Sequence, residues 1–466
     1  MARDASAPST PHASLPAAGL DRRLGPFDAA AIVVSNVIGG GIFFVPVLVA
    51  QMVPNGTAML VVWVAGGALA FAGAMAYAEL AAARPHAGGE YVYLRDAFGP
   101  LAAFLTGWTS FVAGFTGAIA ASAVALADYV GRFVPAAASA TPIFTVPLPL
   151  VPLVVSPKAI VALAVIAALS LIHIRGLGPG SVVQNVLAGL KAAALVAIIA
   201  LGFAVGSGSV ASIAAGTPAS ASGMLLALVP VMFTYSGWNA ATYVAEEVRD
   251  PGRNVPLALG LGTAAVIVIY VALNALYLYA LPIAELATLP GGRLLDIAAE
   301  RLFGFAAANL LALFTIVSLS ASISAMTLAG PRVYYAMARD GMFLPAAATV
   351  HRRFHTPATA IVAQGLWSSV LVLCGTLSQL VSYTGFAVVL FSSIGVASLF
   401  VLRRREPHAT RPFRAWGYPW APAVFVVAGA AMVVNELIRN GATALAGVAI
   451  IAAGIPLFYL FARRQP

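Results

Sequence analysis

Near the start of the chain stands the sequence Ser35-Asn36-Val37-Ile38-Gly39-Gly40-Gly41-Ile42-Phe43-Phe44-Val45-Pro46, in the middle of an apolar stretch from about residue 29 to residue 53. A stretch of this length can cross a bilayer as a helix. Three consecutive glycines at its centre disfavour a continuous helix, because each costs about 1 kcal/mol relative to alanine. Irregular backbone at that depth persists only where it lines a cavity within the protein. The stretch therefore predicts a membrane-spanning helix that is broken at its middle.

A broken helix of this kind has two inner ends of opposite polarity. The amides of residues 40–42 would open the outer half-helix and attract an anion, whereas the carbonyls of residues 36–38 would close the inner half and attract a cation. A zwitterionic ligand carries one charge of each sign and would suit both ends. Small residues are also common where membrane helices cross tightly, so this stretch alone leaves both interpretations open.

The composition excludes a soluble protein. Of the 466 residues, 61% are hydrophobic and only 9% are charged, against roughly 25% charged in soluble proteins. We therefore expect a polytopic protein whose main surroundings are the lipid bilayer. A single cysteine, Cys374, excludes an intramolecular disulfide and a cysteine-built metal site. Residues 1–24 are rich in Ala, Pro and Ser and lack the apolar segment of a signal peptide, so they predict a disordered cytoplasmic tail.

Hydropathy predicts eleven further spans, at about 57–82, 97–131, 158–174, 181–206, 222–247, 256–281, 304–337, 357–375, 379–402, 418–437 and 442–462. Basic residues in short connections mark the cytoplasmic side. Most of the 25 lysines and arginines fall on the side that also holds both chain ends. We therefore expect a cell (inner) membrane protein with cytoplasmic N- and C-termini. The net charge of +9 reflects this topology and does not indicate a nucleic acid partner.

The sixth predicted span carries a second interruption, Phe233-Thr234-Tyr235-Ser236-Gly237-Trp238-Asn239. The two breaks lie five spans apart in chain order, with four spans between them, so the sixth span enters from the side opposite to the first. Paired interruptions in two halves of a chain indicate a transporter binding site. They predict an inverted-repeat core in residues 25–402, with halves 25–206 and 222–402, followed by two accessory helices in residues 403–466. Aromatic packing between helices is the alternative explanation for Tyr235 and Trp238.

Lys191 is unusual because it lies within the fifth predicted span. A lysine at the centre of a membrane helix costs roughly 2.5–3.5 kcal/mol. It lies about ten residues from the inner end, or roughly 15 Å at the helical rise, which is too deep for comfortable snorkelling. We expect an internal cation with a functional or structural role. Its predicted neighbours are the carbonyls that end the inner half of span 1 and the span 8 hydroxyls of Ser318, Ser320, Ser322 and Ser324.

Carboxylates beside arginines occur in the predicted cytoplasmic connections. Glu79 ends the second span, and Glu246 and Glu247 end the sixth. Ion pairs between such residues suit a cytoplasmic gate, although solvated helix ends often have the same composition. The histidines have no metal-ligand spacing, and we expect neither a metal nor a cofactor.

Several motifs together resemble the amino acid–polyamine–organocation (APC) superfamily, most closely its L-type amino acid transporters and related bacterial permeases. The matching segments are Ile38 to Phe43, Tyr77-Ala78-Glu79-Leu80, Gly88-Gly89-Glu90-Tyr91-Val92-Tyr93, Phe233 to Asn239, and Glu246-Glu247. The resemblance implies an all-α integral membrane fold of twelve transmembrane helices. It further implies a LeuT-type 5+5 inverted repeat with broken helices 1 and 6, two added C-terminal helices, and alternating access.

The resemblance also implies roles for individual residues. The break at Ile38, Gly39, Gly40, Gly41 and Ile42 would hold a substrate carboxylate and, with carbonyls of span 6, the amino group. Residues with implied or predicted substrate contacts in the later spans are Phe233 as an aromatic gate, Thr234, Tyr235, Ser236, Trp238, and Tyr270 of span 7. Lys191 matches a lysine that occupies the sodium position of sodium-coupled relatives. Gly40 departs from the family pattern, which usually has a serine there.

The sequence therefore predicts a secondary active transporter of L-amino acids, chiefly neutral ones, that works without sodium. A proton-coupled importer and a carrier of cationic amino acids or polyamines are alternatives. Span 3 has no deep acidic residue, since Asp128 lies near its outer end, but Lys191 could itself load and release a proton. A membrane enzyme would need a nucleophile–base pair or a metal cluster within the spans, and we predict no catalytic residues. A non-transporting receptor or scaffold is a further alternative, although two interrupted spans would be unusual in such a protein.

Overall fold

The computed structural model of the chain describes residues 20–147, 152–289, 294–304, 307–374, 377–439 and 441–463. Residues 1–19 of the predicted tail lie outside these ranges. The last residues of that stretch are packed: Leu24 is buried, and its carbonyl accepts a hydrogen bond from the backbone N–H of Arg249 at 2.9 Å. The carbonyl of Glu247 accepts the backbone N–H groups of Arg23 and Leu24. The start of the first helix is thereby fixed beside the end of the sixth predicted span.

The first half of the described chain is helical apart from a short hairpin. Its helices are α1 (Pro26–Val37), α2 (Val45–Met52), α3 (Gly56–Ala83), α4 (Glu90–Phe98), α5 (Pro100–Thr109), α6 (Phe115–Val130), α7 (Pro157–Ile174), α8 (Leu177–Val205) and α9 (Val210–Ile213). Two 3₁₀ turns span Gly40–Phe43 and Pro135–Ala138, and one π-helical turn, Ser110–Gly114, joins α5 to α6. The antiparallel strands β1 (Phe144–Val146) and β2 (Leu153–Val155) pair Phe144 with Val155. This hairpin was not predicted.

The second half continues in the same way. Its helices are α10 (Ala221–Tyr235), α11 (Ala240–Tyr243), α12 (Pro251–Ala280), α13 (Ile283–Leu286), α14 (Leu294–Phe303), α15 (Ala307–Arg339), α16 (Ala358–Cys374), α17 (Leu377–Arg405), α18 (Trp420–Arg439) and α19 (Gly441–Ala462). Two further 3₁₀ turns span Ala245–Glu247 and Pro345–Ala348.

Each predicted span coincides with one helix or with a pair of helices. Among the described residues, nine helical stretches are long and apolar enough to cross a membrane. They are Gly56–Ala83, Pro100–Val130, Pro157–Ile174, Leu177–Val205, Pro251–Ala280, Asn309–Arg339, Ala387–Arg405, Trp420–Ile438 and Leu445–Ala462. Three shorter apolar helices, α1, α10 and α16, fall on the other predicted spans. The prediction of an all-helical membrane protein is confirmed.

The first predicted span is broken where its glycines stand. Helix α1 begins with Pro26, whose fixed φ and missing N–H suit a first helical position. It ends at Val37, after which Ile38 and Gly39 leave helical geometry. The second half-helix begins at Val45 and not at Gly40 as expected, because residues 40–43 form a separate 3₁₀ turn. The amides of residues 40–42 therefore belong to a tight turn between the two half-helices.

The sixth predicted span is broken at Ser236 and Gly237. Helix α10 ends at Tyr235, Ser236 is extended, and Gly237 has a φ of +98°, a conformation that side chains disfavour. A Cβ atom added to Gly237 would lie 3.1 Å from the backbone carbonyl oxygen of Asn36. The second break therefore approaches the end of α1 so closely that only glycine fits. The two breaks form one site.

The packing of α1 surrounds this site with long helices. Helix α1 contacts α8, α11, α12 and α15, while α10 contacts α2 and α3. The C-terminal helices lie at the periphery, where α18 packs against α3 and α17, and α19 packs against α5 and α17. The site is thus enclosed by elements from both halves of the chain.

Candidate functional site

A cavity of about 140 Å³ opens at the two breaks. Its walls come from the end of α1, the start of α4, the segment from α5 to α6, the second break with α11, and the helices α15 and α17. The lining residues are Asn36, Glu90, Thr106, Thr109, Ser110, Gly114, Phe115, Ala118, Ser236, Gly237, Asn239, Ala240, Tyr243, Met326, Ala387, Val388 and Phe391. Polar groups at the end of α1 and in the second break therefore share a space with an apolar wall, whereas residues 38–42 of the first break are not among the lining residues.

Lys191 is fully buried and points its ammonium group at the end of α1. Its Nζ donates to the carbonyl oxygen of Ser35 at 3.2 Å, to the hydroxyl of Ser322 at 2.8 Å, and to the carbonyl oxygen of Ile38. A lysine has three N–H donors, and each of them has an acceptor here. The expected neighbours of Lys191 are confirmed, with Ser322 as the span 8 hydroxyl that contacts it. The ammonium joins α8, α1 and α15.

Tyr270 of α12 joins the two breaks. Its hydroxyl donates to the carbonyl oxygen of Val37 at 2.7 Å and lies 3.3 Å from the carbonyl oxygen of Thr234. Its ring packs against those of Trp63 and Tyr235, with centroid distances of 5.8 and 5.1 Å. Tyr270 is completely buried, so it holds the backbone of both breaks in place from behind.

The residues of the first break differ in their surroundings. Ile38 and Ile42 are buried, whereas Gly39, Gly40 and Gly41 are partly exposed. A Cβ atom added to Gly40 would meet no atom within 4 Å, but one added to Gly41 would lie 3.2 Å from the side chain of Thr234. Open space therefore begins at Gly40, and Gly41 forms the contact with the second break.

The predicted residues of the second break also differ in whether they line the cavity. Ser236 lines the cavity and Phe233 is half-buried, but Tyr235 is absent from the cavity wall. The Tyr235 hydroxyl donates to the carbonyl oxygen of Trp63 at 3.2 Å, which fits the alternative of aromatic packing. Trp238 is buried between the rings of Tyr77 and Phe425, at 4.9 and 5.5 Å, beside the cavity and not in its wall.

Ion pairs gather at the end of the bundle where α1 begins. Glu247 accepts two hydrogen bonds from Arg332 of α15, both at 2.9 Å, and the two side chains are at most 1% exposed. Glu246 lies 3.3 Å from Arg339 and accepts the backbone N–H of Ala87. These pairs fasten the segment after α11 to α15.

The third predicted carboxylate, Glu79 of α3, has its partners on α17 and on the connection before α18. It accepts hydrogen bonds from Arg403 of α17 at 2.8 and 2.5 Å and from the backbone N–H of Ala415, and it lies 3.3 Å from Arg411. Two parallel hydrogen bonds between a guanidinium and a carboxylate are stronger than hydrogen bonds between neutral groups. Glu79 therefore fastens α3 to α17 and to the connection before α18.

The structure adds a residue that our sequence analysis did not select. Glu90, the first residue of α4, lines the cavity and is 9% exposed. Its Oε1 accepts hydrogen bonds from the Tyr77 hydroxyl at 2.8 Å and from Asn239 Nδ2 at 2.6 Å. Helix α4 is a connection outside the apolar spans, and burial there raises the pKa of Glu90 to about 7, against the lowering effect of these hydrogen bonds.

A second unpredicted feature is the π-helical turn Ser110–Gly114, which contributes Ser110 and Gly114 to the cavity wall. Such turns occur often at functional sites because the wider turn frees backbone groups and displaces side chains. No glycine cluster or proline in this segment predicts the turn. The available sequence signal was a group of small hydroxyl residues, Thr106, Thr109 and Ser110, in the first half of the third predicted span.

Two broken helices that meet at a cavity inside a helical membrane bundle are typical of secondary transporters. A family model described as amino acid permease matches residues 24–460 of the chain. The chain belongs to the amino acid permease family, which confirms the resemblance drawn from its motifs.

Individual relatives match over nearly the whole chain. The b(0,+)-type amino acid transporter 1 of Mus musculus is 28% identical over 464 residues, covering 97% of this chain and 90% of that protein. The Asc-type amino acid transporter 1 of Mus musculus is 28% identical, with 96% and 83% covered. The large neutral amino acids transporter small subunit 2 of Rattus norvegicus is also 28% identical, with 95% and 81% covered. These relatives are transporters and not enzymes.

Proposed function

We propose that the protein is a secondary active transporter of L-amino acids, chiefly neutral ones, that works by alternating access and without sodium. The observation that carries the proposal is the Lys191 ammonium on the carbonyls of Ser35 and Ile38, beside a cavity at two broken helices. A fixed cation at this position supplies the positive charge that the end of α1 would otherwise draw from solution. The relatives named above support an amino acid as the substrate.

We further propose that twelve spans cross the cytoplasmic membrane, with both chain ends in the cytoplasm. Spans 1–5 and 6–10 then form an inverted repeat, and α18 and α19 are accessory helices. The start of α1 lies beside the end of the sixth predicted span, as expected for two broken spans of opposite direction. The peripheral packing of α18 and α19 also supports this division. In this orientation the ion pairs of Glu79, Glu246 and Glu247 lie at the cytoplasmic mouth and act as a gate.

The substrate would lie across the two breaks. Its carboxylate would occupy the open space at Gly39 and Gly40, near the amides of the 3₁₀ turn. Its ammonium group would face the carbonyls that end α10, which carry the negative end of the helix dipole. Phe115, Met326 and Phe391 in the cavity wall suit an uncharged side chain. Phe233, Ser236 and Trp238 would contact or cover the substrate when the site closes.

One observation favours a second candidate function. Glu90 places a carboxyl group in the cavity wall, where a proton or a cationic side chain would be stabilised. A proton-coupled importer, or a carrier of cationic amino acids, therefore remains the alternative.

The direct test is a thermal-shift screen of detergent-purified protein against the common L-amino acids, their D-enantiomers and polyamines. A ligand that binds only the native state raises the apparent melting temperature. We expect shifts with a group of neutral L-amino acids and none with the D-enantiomers. Shifts only with arginine, lysine or polyamines would select the cationic alternative, and no shift with any amino acid would contradict the proposal.

A further inference from the structure

Glu90 is held against the second break by an unusual turn. The preceding residues Gly88 and Gly89 have φ values of +107° and +50°, which side chains rarely adopt. A Cβ atom added to Gly89 would lie 2.7 Å from the hydroxyl oxygen of Thr242 in α11. The turn therefore needs glycine for both conformation and space, and it brings the start of α4 directly onto α11.

The carboxyl group of Glu90 connects three elements that meet at the cavity. Tyr77 donates from α3, and Asn239 donates from the residue immediately before α11. Asn239 Nδ2 also lies 3.0 Å from the hydroxyl of Tyr243 in α11. Any movement of α11 relative to α3 and α4 must break or lengthen these bonds. Glu90 is therefore placed to sense the position of the second break.

Within the described part of the chain, no lysine or arginine forms an ion pair with Glu90. The neighbouring arginines have other partners: Arg84 pairs with Asp96 and Glu406, Arg95 with Asp340, and Arg332 with Glu247. The titratable groups nearest to Glu90 are the phenols of Tyr77, Tyr93 and Tyr243. Thr106 faces it from α5, and Val388 and Phe391 of α17 line the same cavity.

We propose that Glu90 is a proton-binding site of the cavity that couples pH to the movement of α11. This inference rests on the proposed function, because the movement of α11 would be a part of alternating access. In the packed arrangement the carboxyl group holds its proton. When α11 withdraws Asn239 and water reaches the cavity, the O–H bond breaks, the carboxylate remains, and the proton passes to water.

The direction of the pH dependence follows from burial. The pKa of Glu90 is about 7 in the packed arrangement, against an ordinary value of 4.5. Protons therefore bind more tightly to the packed arrangement, which acid favours. This stabilisation is fully present below about pH 4.5 and is lost as the pH rises through about 7. Alkaline pH favours the hydrated arrangement.

Trp238 provides a readout that requires no substrate, because its ring packs on Tyr77 at 4.9 Å. We expect the tryptophan fluorescence of the purified protein to titrate with a midpoint near pH 7, and Glu90→Gln to abolish that transition. Tyr77→Phe removes a donor that stabilises the carboxylate, so the midpoint should move up by about one pH unit. A purely structural role for Glu90 would not produce that shift.

Two control variants should retain the transition. Glu285→Gln changes an exposed carboxylate that is paired with Arg301. His86→Gln removes an exposed imidazole from the same connection as Glu90. A transition that persists in Glu90→Gln, or that disappears in His86→Gln, would overturn the assignment of the proton site.

Measurements of transport distinguish a failure of this proposal from a failure of the proposed function on which it rests. Uptake by proteoliposomes should depend on pH in the wild type and lose that dependence in Glu90→Gln. A fluorescence transition assigned to Glu90 without binding or uptake of any amino acid would refute the proposed function and leave the proton site standing. Uptake with the same pH profile in wild type and Glu90→Gln would refute the coupling alone.

Discussion

At the scale of single residues, Lys191 shows how a buried charge is tolerated within a membrane span. The carbonyls that end α1 are not used by the helix, and they carry partial negative charge. Two of them, with the Ser322 hydroxyl, supply acceptors for the three ammonium donors. The Ser322 hydroxyl also lies 3.1 Å from the carbonyl oxygens of Ser35 and Ile38. The lysine is thus stabilised by the same irregular backbone that it holds in place.

Gly41 gives the most local prediction. A Cβ atom at this position would lie 3.2 Å from Thr234, so the branched side chain of Gly41→Val must push the two breaks apart. We expect a folded, membrane-inserted protein that no longer binds amino acid, because the carboxylate-binding turn is displaced. Binding is measured by the thermal-shift assay.

The matched control for this variant is Gly189→Val, since Gly189 is exposed on α8 and an added Cβ there meets no atom within 4 Å. It should bind substrate as the wild type does. Wild-type affinity in Gly41→Val would show that the glycines serve packing alone.

At the scale of elements, α11 is the short helix that links the second break to the buried ion pair of Glu247. It is preceded by the second break and followed by Glu247, and it packs against α1 and α15. It has only four residues, so a few side chains outside it decide where it lies. A short element held by identifiable bonds is suited to move between two positions.

The buried pair of Glu247 and Arg332 tests this view of α11. Glu247→Gln leaves the Arg332 guanidinium buried without its carboxylate, and removal of one partner of such a pair costs about 3–5 kcal/mol. We expect a large fall in the apparent melting temperature of the single variant. Replacing both residues by apolar side chains should recover much of the loss.

An exposed pair on the same protein gives the comparison. Arg301 and Glu285 are 50% and 38% exposed, and Glu285→Gln should cost no more than about 1 kcal/mol. Equal losses in Glu247→Gln and Glu285→Gln would mean that the buried pair does not fasten α11 to α15.

Trp238 should report substrate binding optically. It lies between Tyr77 and Phe425 beside the cavity, so closure of the site over a substrate must alter its surroundings. We expect tryptophan fluorescence to change on addition of the amino acid and the change to vanish in Trp238→Leu. Trp420→Leu, which alters a tryptophan that is 78% exposed, should keep it. An unchanged response in Trp238→Leu would assign the signal to another tryptophan.

At the scale of the whole molecule, the sequence predicted those features for which the alternative local structure has a large cost in free energy. Three glycines in an apolar stretch disfavour a helix wherever the chain goes, and the break lies there. A lysine within a span must find acceptors, and it contacts the predicted ones. The start of the outer half-helix at Val45 was not predicted, because Gly41 of the 3₁₀ turn packs closely against Thr234, which lies in a distant span.

Features that depend on contacts with distant parts of the chain were not predicted from the sequence. Glu90 stands in an apparently ordinary connection, and its position in the cavity wall follows from a turn that packs against α11, more than 140 residues away. Tyr235 was expected to contact substrate, but its partners Trp63 and Tyr270 lie on other helices and hold it in a buried aromatic cluster. Periodicity and composition do not identify such neighbours.

The central claim is that Lys191 takes the place of a sodium ion, and uptake by proteoliposomes tests it most directly. We expect amino acid uptake to be the same with sodium or choline outside. Lys191→Ala and Lys191→Met should reduce uptake at least about tenfold, because each removes charge-assisted bonds worth about 1.5–3 kcal/mol apiece. Lys158→Ala, which alters a lysine paired with Asp128, should reduce it little. Uptake that collapses in choline would contradict the claim, as would normal uptake by both Lys191 variants.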